Sequence, residues 1–446
     1  MSKKQTQETV SYKEPLPVIT EEMKREYTIL VPNMLPYHFD ILMDVLGQRG
    51  YKLEVLKTEG RTIIDEGLKH VHNDTCYPAL CVIGQFLDAL KSGKYDVDKT
   101  AVVITQSGGG CRASNYVGLI RKALKAEFPQ VPVLSINFSG LEKGSGIKMD
   151  LPLILQMAYA IFYGDAIMSL YNQCKPYAKN PEGVDQVRDE CVNYVRKEMV
   201  KRGYKDYKRI IGWLLEKFGA IERLPIEKVK VGIVGEIYVK YSPLANNNLE
   251  EFLYKEGCEP VVPALMDFVL YCIVNTMNDT TLYGRKPLTG FVYKIVYKIF
   301  YKIQRGIIEM FEKAGFEPPH DFEELRHGAD KVIHQGVKMG EGWLIPAEML
   351  ALYESGTENI VCAQPFGCLP NHIVGKGAAR AIKELHEDVN IVPIDYDPSA
   401  TKVNQENRLK LMLATARDKL AEGQAAKIQK EADGQSEVLA EAAITE

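Results

Sequence analysis

The sequence predicts an α/β protein with two doubly wound parallel-sheet units and a helical segment between them. Short runs of apolar, β-branched residues alternate with helical patterns in residues 26–165, and the same alternation starts again at residue 226. Residues 166–225 instead show helical patterns with charged faces. Strands that alternate with helices at this spacing are typical of parallel sheets, because each strand needs a crossover before the next one begins.

The first unit, residues 26–165, contains four predicted strands. They lie at residues 27–31, 52–56, 101–105 and 131–136. Helices are predicted at 40–49, 72–90 and 116–127. An apolar run at 151–170 carries Gln156 and Asp165, so we interpret it as a buried core helix and not as a membrane span.

The second unit covers residues 226–420. Its predicted strands lie at 228–234, 359–362 and 390–394, with apolar stretches at 261–274 and 291–311 between them. Residues 1–25 form a polar leader. Residues 421–446 are rich in Ala, Glu, Gln and Lys, a composition that predicts an exposed helix or a partly disordered tail.

The composition limits the class of protein. The chain has 446 residues, enough for two or three domains, and its net charge of −4 provides no basic field that would favour nucleic acid. The N-terminus lacks the apolar region of a signal peptide. The nine cysteines therefore predict reduced thiols or metal ligands in the cytoplasm, not disulfides.

Two cysteines of the first unit occupy special backbone positions. Cys76 lies in DTCYP, where Asp74 or Thr75 can cap a helix and Pro78 fits its first turn. Cys111 follows a strand and three glycines, and a helix opens after it. A thiol at a helix start is near amide donors and the positive end of the helix dipole. We therefore expect a favoured thiolate, the form that binds metal.

Two cysteines of the second unit complete a candidate ligand set. Cys362 ends the strand pattern NIVC, and Cys368 lies in a loop with Gly367 before a predicted helix. Cys111 and Cys362 thus come at the predicted carboxyl ends of parallel strands, the edge at which open α/β sheets bind ligands. Two such edges across a cleft would bring Cys76, Cys111, Cys362 and Cys368 together and would suit an iron–sulfur cluster.

Spacing alone leaves alternatives open, because no two cysteines form a CxxC pair. Isolated buried cysteines commonly act as small hydrophobic residues. A zinc site is the nearest alternative metal site, although structural zinc sites use close cysteine pairs. Core packing is the prediction for the other five cysteines, Cys81, Cys174, Cys191, Cys258 and Cys272.

Other polar and glycine residues surround the candidate ligands in the sequence. His372 follows Cys368 and could donate a proton, and His72 precedes Cys76 by four residues. The sulfides of a cluster need backbone amides as neighbours, which loop glycines can provide. The glycines of these loops are Gly108, Gly109, Gly110 and Gly367. Neither GIVGE nor GGGC completes a dinucleotide or P-loop motif, so we do not expect ATP hydrolysis by this chain.

A periodic segment, FVYKIVYKIFYKI, places tyrosines and lysines in parallel rows on a helix. The rows are Tyr293, Tyr297 and Tyr301, and Lys294, Lys298 and Lys302. We interpret the segment as an amphipathic helix that packs one face and solvates the other. A surface for a nucleotide or an acidic partner is the alternative.

Several separated blocks resemble one family. The blocks are HNDTCYPALCVIGQFLDALKSGKYD, ITQSGGGCRASNYVGLIRKAL, VGIVGEIYVKYSPLANNNLEEFL, CAQPFGCLPNHIVGKGAAR and PIDYDPSATKVNQENRLKLML. Over residues 27–415 the chain resembles the C-terminal region of large acyl-CoA dehydratase activase-related proteins. These belong to the 2-hydroxyacyl-CoA dehydratase and double-cubane-cluster protein superfamily.

The resemblance implies two flavodoxin-like domains with a helical part, and iron–sulfur clusters bound by cysteines between the domains. It also implies electron transfer from an ATP-dependent activase that holds a [4Fe–4S] cluster. The large relatives carry an activase module that is missing here, so we expect a separate activase protein as partner. A homodimer, a cytoplasmic location and no contact with membrane or nucleic acid are further expectations.

The resemblance places the family's motif cysteines at Cys76, Cys111, Cys362 and Cys368. Four thiolates would complete one cubane, whereas three would leave one iron open for substrate. A double cubane would require more thiolates, which Cys81 or Cys258 would have to supply. The residues expected to line the cleft are Asn115, Tyr116, Ser139 and His372.

Three functions remain open. The first is an activase-dependent iron–sulfur reductase that acts on a small substrate. The second is a 2-hydroxyacyl-CoA dehydratase, a lyase that forms a ketyl radical, although no segment of the sequence identifies a CoA pocket. The third is a non-catalytic electron carrier or subunit that bears the cluster.

Overall fold

The computed structural model describes residues 17–72, 74–106, 110–137, 147, 149–285 and 287–444. For residues 137 and 202 and for residues 427–444 it describes the backbone alone. Ser139, Gly108 and Gly109 therefore lie outside the described residues.

Two parallel four-stranded sheets form the framework. The first contains β1 (Thr28–Pro32), β2 (Lys52–Leu56), β3 (Thr100–Gln106) and β4 (Val133–Asn137), in the order β2-β1-β3-β4. The second contains β5 (Lys230–Gly235), β6 (Glu259–Val261), β7 (Asn359–Pro365) and β8 (Asn390–Tyr396), in the order β6-β5-β7-β8. The predicted α/β class with two parallel sheets is confirmed.

Seventeen α-helices connect and cover the sheets in the described residues. Those of the first half are α1 (Glu21–Glu26), α2 (Pro36–Gly47), α3 (Arg61–Leu68), α4 (Tyr77–Lys91), α5 (Tyr116–Glu127), α6 (Leu151–Cys174), α7 (Pro181–Val200) and α8 (Tyr207–Gly219). Those of the second half are α9 (Ile237–Tyr241), α10 (Pro243–Asn246), α11 (Leu249–Lys255), α12 (Leu265–Tyr283), α13 (Pro287–Lys313), α14 (Phe322–Ala329), α15 (Leu344–Glu354), α16 (Gly377–Leu385) and α17 (Lys402–Ile444).

The strand order gives each sheet a topological switch point. The chain leaves β1 toward β2 on one side and then returns to place β3 on the other side, and β5, β6 and β7 repeat this path. The crevice outside the carboxyl ends of the two central strands is where open α/β sheets bind ligands. The segments after β1, β3, β5 and β7 therefore hold the positions suited to a site.

The helical segment does not form a separate body. Apolar residues of α7 and α8 share one core with α2, α6, α12 and α13, beside the first sheet. A second core joins residues of both sheets, including Leu30 and Val102 with Val231 and Val361. Helix α6 is long and apolar enough to cross a membrane by length and composition, but most of it is buried in the fold. The prediction of a core helix at 151–170 is confirmed.

Differences from the sequence predictions concern the ends of elements and one strand. Strand β6 has only three residues, two of them Glu259 and Pro260, so it lacks a recognisable apolar alternation. Strand β7 runs three residues beyond Cys362, to Pro365. Helix α17 continues through the predicted tail to Ile444.

Candidate metal centre

The loop after β3 carries Cys111 at the first switch point. Cys111 precedes a short 3₁₀ turn, Arg112–Asn115, which leads into α5. The guanidinium of Arg112 donates hydrogen bonds to the carbonyls of Asp74 and Thr75, directly before Cys76. One side chain therefore links the backbone segments of both cysteines.

Cys76 lies at the N-cap position of α4, in extended backbone. Neither Asp74 nor Thr75 caps this helix, so that detail of the prediction is wrong, whereas Pro78 does lie in its first turn. The Tyr116 hydroxyl lies 2.9 Å from Cys76 Sγ, a hydrogen-bonding distance. Because Tyr116 begins α5, this contact is a second link between the loops of Cys76 and Cys111.

Cys368 lies in the turn after β7, at the second switch point. Its N–H donates to the Pro365 carbonyl at 3.1 Å, and Gly367 has a φ of 71°, which favours glycine. The Asn371 amide donates to Cys368 Sγ at 3.3 Å. The sulfur thus faces a hydrogen-bond donor, as sulfur ligands of metal clusters commonly do.

Cys362 occupies a different environment. It lies within β7, paired with Val234 and Pro393, and its side chain is buried among Ile345, Met349 and Val374. The predicted position at the end of a strand is wrong, because β7 extends to Pro365. A Cβ on Gly375 would lie 3.1 Å from Cys362 Sγ, so backbone packs closely against this sulfur.

Two carboxyl groups lie beside the cysteines. Glu236 follows β5 and caps α9, where its Oε2 accepts a hydrogen bond from the Val239 N–H at 2.8 Å. Glu341 is buried, and its Oε1 accepts from the Ile237 N–H at 3.1 Å. Both carboxyl groups therefore meet at the start of one helix. Burial raises the pKa of Glu236, and the neighbouring Glu341 raises it further, so the pair favours a bound proton.

Four thiols share Glu236 as an electrostatic neighbour: those of Cys76, Cys111 and Cys368, and that of the fully buried Cys81. Burial raises the pKa of Cys76 to about 12, and burial also raises the pKa of Cys111 and of Cys368. A negative charge on Glu236 adds to each of these shifts. The expectation that helix starts favour the thiolate is wrong for the metal-free protein, because loss of solvation outweighs the amide donors. A bound metal cation would stabilise the thiolates and so lower the pKa of these cysteines.

The remaining predicted site residues lie around these loops. His372 Nδ1 is 3.0 Å from the Cys368 carbonyl, and the Gly110 N–H contacts Met339 Sδ at 3.3 Å. Asn115 is exposed at the start of α5, and His72 is an exposed residue near Asp74. Of the predicted site residues that the structure describes, Tyr116 contacts the sulfur of a candidate ligand, and His372 contacts the backbone of another. Asn371, which the sequence did not indicate, contacts the sulfur of Cys368.

The other cysteines fall into two groups. Cys81, Cys174, Cys191 and Cys258 are buried, as predicted. Cys258 precedes β6 and thus lies at the amino edge of its sheet, opposite to the switch point. Cys272 is exposed on α12, so its predicted core position is wrong. The Cys272 thiol lies within the electrostatic range of the Glu341 carboxyl.

The spacing of side chains argues against a single metal ion at the cysteines. Among the described residues, the one group of three His, Cys, Asp or Glu side chains with ligand atoms within 4.8 Å is Glu66, His70 and Glu127. The Lys91 ammonium pairs with both of these carboxylates and fills that group. A zinc ion would need its cysteine sulfurs closer together than they are. A cluster binds each sulfur through a separate iron and accepts wider spacing.

The comparisons with known proteins leave the family open. No protein-family model matches the chain, and no curated protein matches it. The structure defines a two-sheet α/β protein with thiols and carboxyls near the carboxyl ends of its central strands.

The carboxyl pair predicts a pH dependence of stability. Carboxyl groups with a raised pKa in the folded state stabilise the fold fully below their unfolded pKa, and this contribution is lost as the pH rises through the folded pKa. The free energy of unfolding of the metal-free protein should therefore fall as the pH rises above about 4.5. Glu236→Gln should remove up to about 1.4 kcal/mol per pH unit of this slope, measured by urea unfolding at several pH values.

The matched control for this measurement is Glu384→Gln, which changes an exposed carboxylate of α16. Its slope should equal that of the wild type. Equal slopes for Glu236→Gln and the wild type would show that the pair does not bind the extra proton.

Proposed function

We propose that this chain holds an iron–sulfur cluster on Cys76, Cys111 and Cys368, and that it reduces a small substrate with electrons from a separate ATP-hydrolysing activase. The supporting observation is that the three proposed ligands, which come from two α/β units, lie within the electrostatic range of one carboxyl, Glu236. Cys81 also lies within this range, but its side chain is fully buried in the core around α4. Two of them follow the central strands of sheets with the order expected of flavodoxin-like domains. We propose that both domains are of that kind.

The chemistry of the donor set fits a cluster. Thiolates are the usual ligands of iron–sulfur clusters, and hydrogen bonds to their sulfurs adjust the reduction potential. The Tyr116 hydroxyl and the Asn371 amide provide such bonds to Cys76 and Cys368. The cluster would supply single electrons at low potential. The protein's part is to fix the sulfurs, to exclude water and to place acidic groups nearby.

The cluster could have four cysteine ligands or only three, and the environment of Cys362 bears on this choice. Cys362, which the sequence adds to the set, is buried within β7, where its thiol packs among apolar side chains and contacts Gln364 Oε1 at 3.9 Å. We therefore propose three cysteine ligands, which would leave one iron without a cysteine and able to bind substrate. Glu236 and Glu341 lie beside the cysteines, and a protonated carboxyl there could donate a proton to a reduced substrate.

The first test is the iron and acid-labile sulfide content per chain after anaerobic purification, with an EPR spectrum of the reduced protein. About four irons would support a single cubane. About eight would indicate a double cubane and would require further thiolates. No iron after anaerobic reconstitution would overturn the proposal, and the cysteines would then be ordinary buried residues.

Measurements of turnover distinguish the reductase, the dehydratase and the electron carrier. If the chain is a reductase, a small acceptor should take electrons from the chemically reduced cluster and reoxidise it, and the visible absorption of the cluster follows this reaction. Dehydration of an added 2-hydroxyacyl-CoA thioester would identify a lyase instead. A cluster that accepts electrons but reacts with neither would identify an electron carrier. We propose a cytoplasmic location for each case, since reduced thiols and a low-potential cluster require it.

A further inference from the structure

Helix α13 exposes an apolar surface on the side opposite to the core. Its buried residues, including Tyr297, Phe300, Ile303, Ile307 and Phe311, pack against the helical core. A surface helix normally presents polar residues on the other side. The first half of α13 instead presents the outer stripe, which consists of Leu288, Phe291, Val292, Ile295 and Ile299.

The outer stripe is continuous and well exposed. At about 100° per residue its five side chains fall within a sector of about 100°, roughly opposite to the buried sector. Between 47% and 77% of each of these residues is exposed to solvent. Soluble monomers rarely expose a contiguous apolar patch of this kind unless it binds a partner.

Tertiary contacts hold the helix that carries the outer stripe in place. Gly290 allows α13 to approach α12 so closely that an added Cβ would overlap Thr280 Oγ1. Tyr297 and Tyr301 donate hydrogen bonds to Glu323 and Asp321 on the inner side of the helix. The outer surface is therefore preorganised, which lowers the entropy cost of binding.

A row of lysines borders the outer stripe on one side. Lys294, Lys298 and Lys302 are exposed, follow one another at steps of four residues, and form no ion pair among the described residues. The sequence from residue 280 to residue 308 contains six Lys and Arg residues and no Asp or Glu. Because no ion pair within the described part of the chain occupies these lysines, the row can pair with acidic residues of another molecule.

We propose that the outer stripe and the lysine row bind an amphipathic acidic helix of a partner protein. The apolar ridge of that helix would cover the stripe, and a row of Asp or Glu residues at steps of three or four would pair with the lysines. A second copy of this chain fits less well, because the part of α13 that carries the stripe and the lysine row contains no acidic residue, and the first one in the helix is Glu309. A membrane surface fits less well too, because the lysines border one side of the stripe only.

The test uses the full-length protein and two synthetic helical peptides. Both peptides carry a leucine stripe, and one has glutamates along one flank where the other has lysines. We expect the glutamate peptide to bind at least about tenfold more tightly than the lysine peptide at physiological salt. Fluorescence anisotropy of labelled peptide measures both affinities.

Three variants locate the binding site. F291S combined with I295S should abolish binding of the glutamate peptide, whereas V403S combined with L411S, which alters exposed apolar residues of α17, should leave it unchanged. K294E combined with K298E and K302E should reverse the preference between the two peptides. All these positions are exposed, and circular dichroism checks that each variant is folded.

Other outcomes would overturn the proposal. Equal affinity for both peptides, or binding that survives F291S combined with I295S, would show that the surface has no such specificity. Self-association in sedimentation that this double variant abolishes would assign the stripe to a second copy. Co-sedimentation with phosphatidylserine vesicles that depends on the stripe would assign it to a membrane. None of these results depends on the iron content.

Discussion

Cys111→Ala is expected to lose the bound iron while the protein remains folded. The thiol lies in a half-buried loop and contributes little to either core, so its removal should have a small effect on unfolding. Removing a residue that only hydrogen-bonds a metal ligand typically lowers affinity by about 10- to 100-fold, so loss of a ligand should have at least that effect. Iron content and the EPR spectrum of the reconstituted variant provide the measurement.

Cys191→Ala is the matched control for this substitution. Cys191 is fully buried in α7, within the helical core, so the change removes a thiol without touching the cleft. It should lower stability and leave iron content unchanged. A Cys111→Ala protein with the iron content of the wild type would exclude Cys111 as a ligand.

Cys362→Ala tests the number of cysteine ligands in the same experiment. If three cysteines hold the cluster, this variant should retain its iron and lose only core packing around Val374 and Met349. Loss of iron that equals the loss in Cys111→Ala would instead establish four cysteine ligands. Cys272→Ala tests in the same way whether Cys272, an exposed thiol near Glu341, is a further ligand.

The sheets were predictable because their strands are buried on both faces. Strands such as β3 consist of continuous apolar, β-branched residues, and this composition follows from cover by helices on both sides. Strand β6 escaped prediction because it lies at an edge and is three residues long. The order of strands was not predictable, because it depends on pairing between segments far apart in the chain.

From the sequence, only those site residues were predictable whose neighbours in the chain indicate a loop after a strand. Cys111 and Cys368 stand beside glycines after strands, and this local pattern indicated a position at a sheet edge. Glu236 and Glu341 have no local signal, since they meet only when α9 packs against the segment before α15. The link from Arg112 to the carbonyls of the other loop is likewise a result of tertiary structure.

Lys240→Met is expected to lower the free energy of unfolding by roughly 3–5 kcal/mol, because it leaves a buried carboxylate without its cation. Lys240 Nζ lies 2.8 Å from Glu348 Oε1, and the two side chains are 5% and 2% exposed. The pair joins α9, which Glu236 caps, to α15. Its loss should therefore also disturb the carboxyl pair of the cleft.

A double variant distinguishes the cost of leaving one buried charge unpaired from the net contribution of the Lys240–Glu348 ion pair to stability. Lys240→Met combined with Glu348→Leu removes both charges and should recover most of the lost stability, since apolar residues commonly replace a buried ion pair without cost. Arg380→Met breaks an ion pair of α16 whose side chains are 89% and 65% exposed, and it should cost less than about 1 kcal/mol. Urea unfolding measures all three variants. If Lys240→Met lowers the free energy of unfolding as little as Arg380→Met does, water must reach Glu348. The region around Glu236 and Glu341 would then be solvated, and these carboxyl groups would not stay protonated. The proposed donation of a proton to substrate requires that they do.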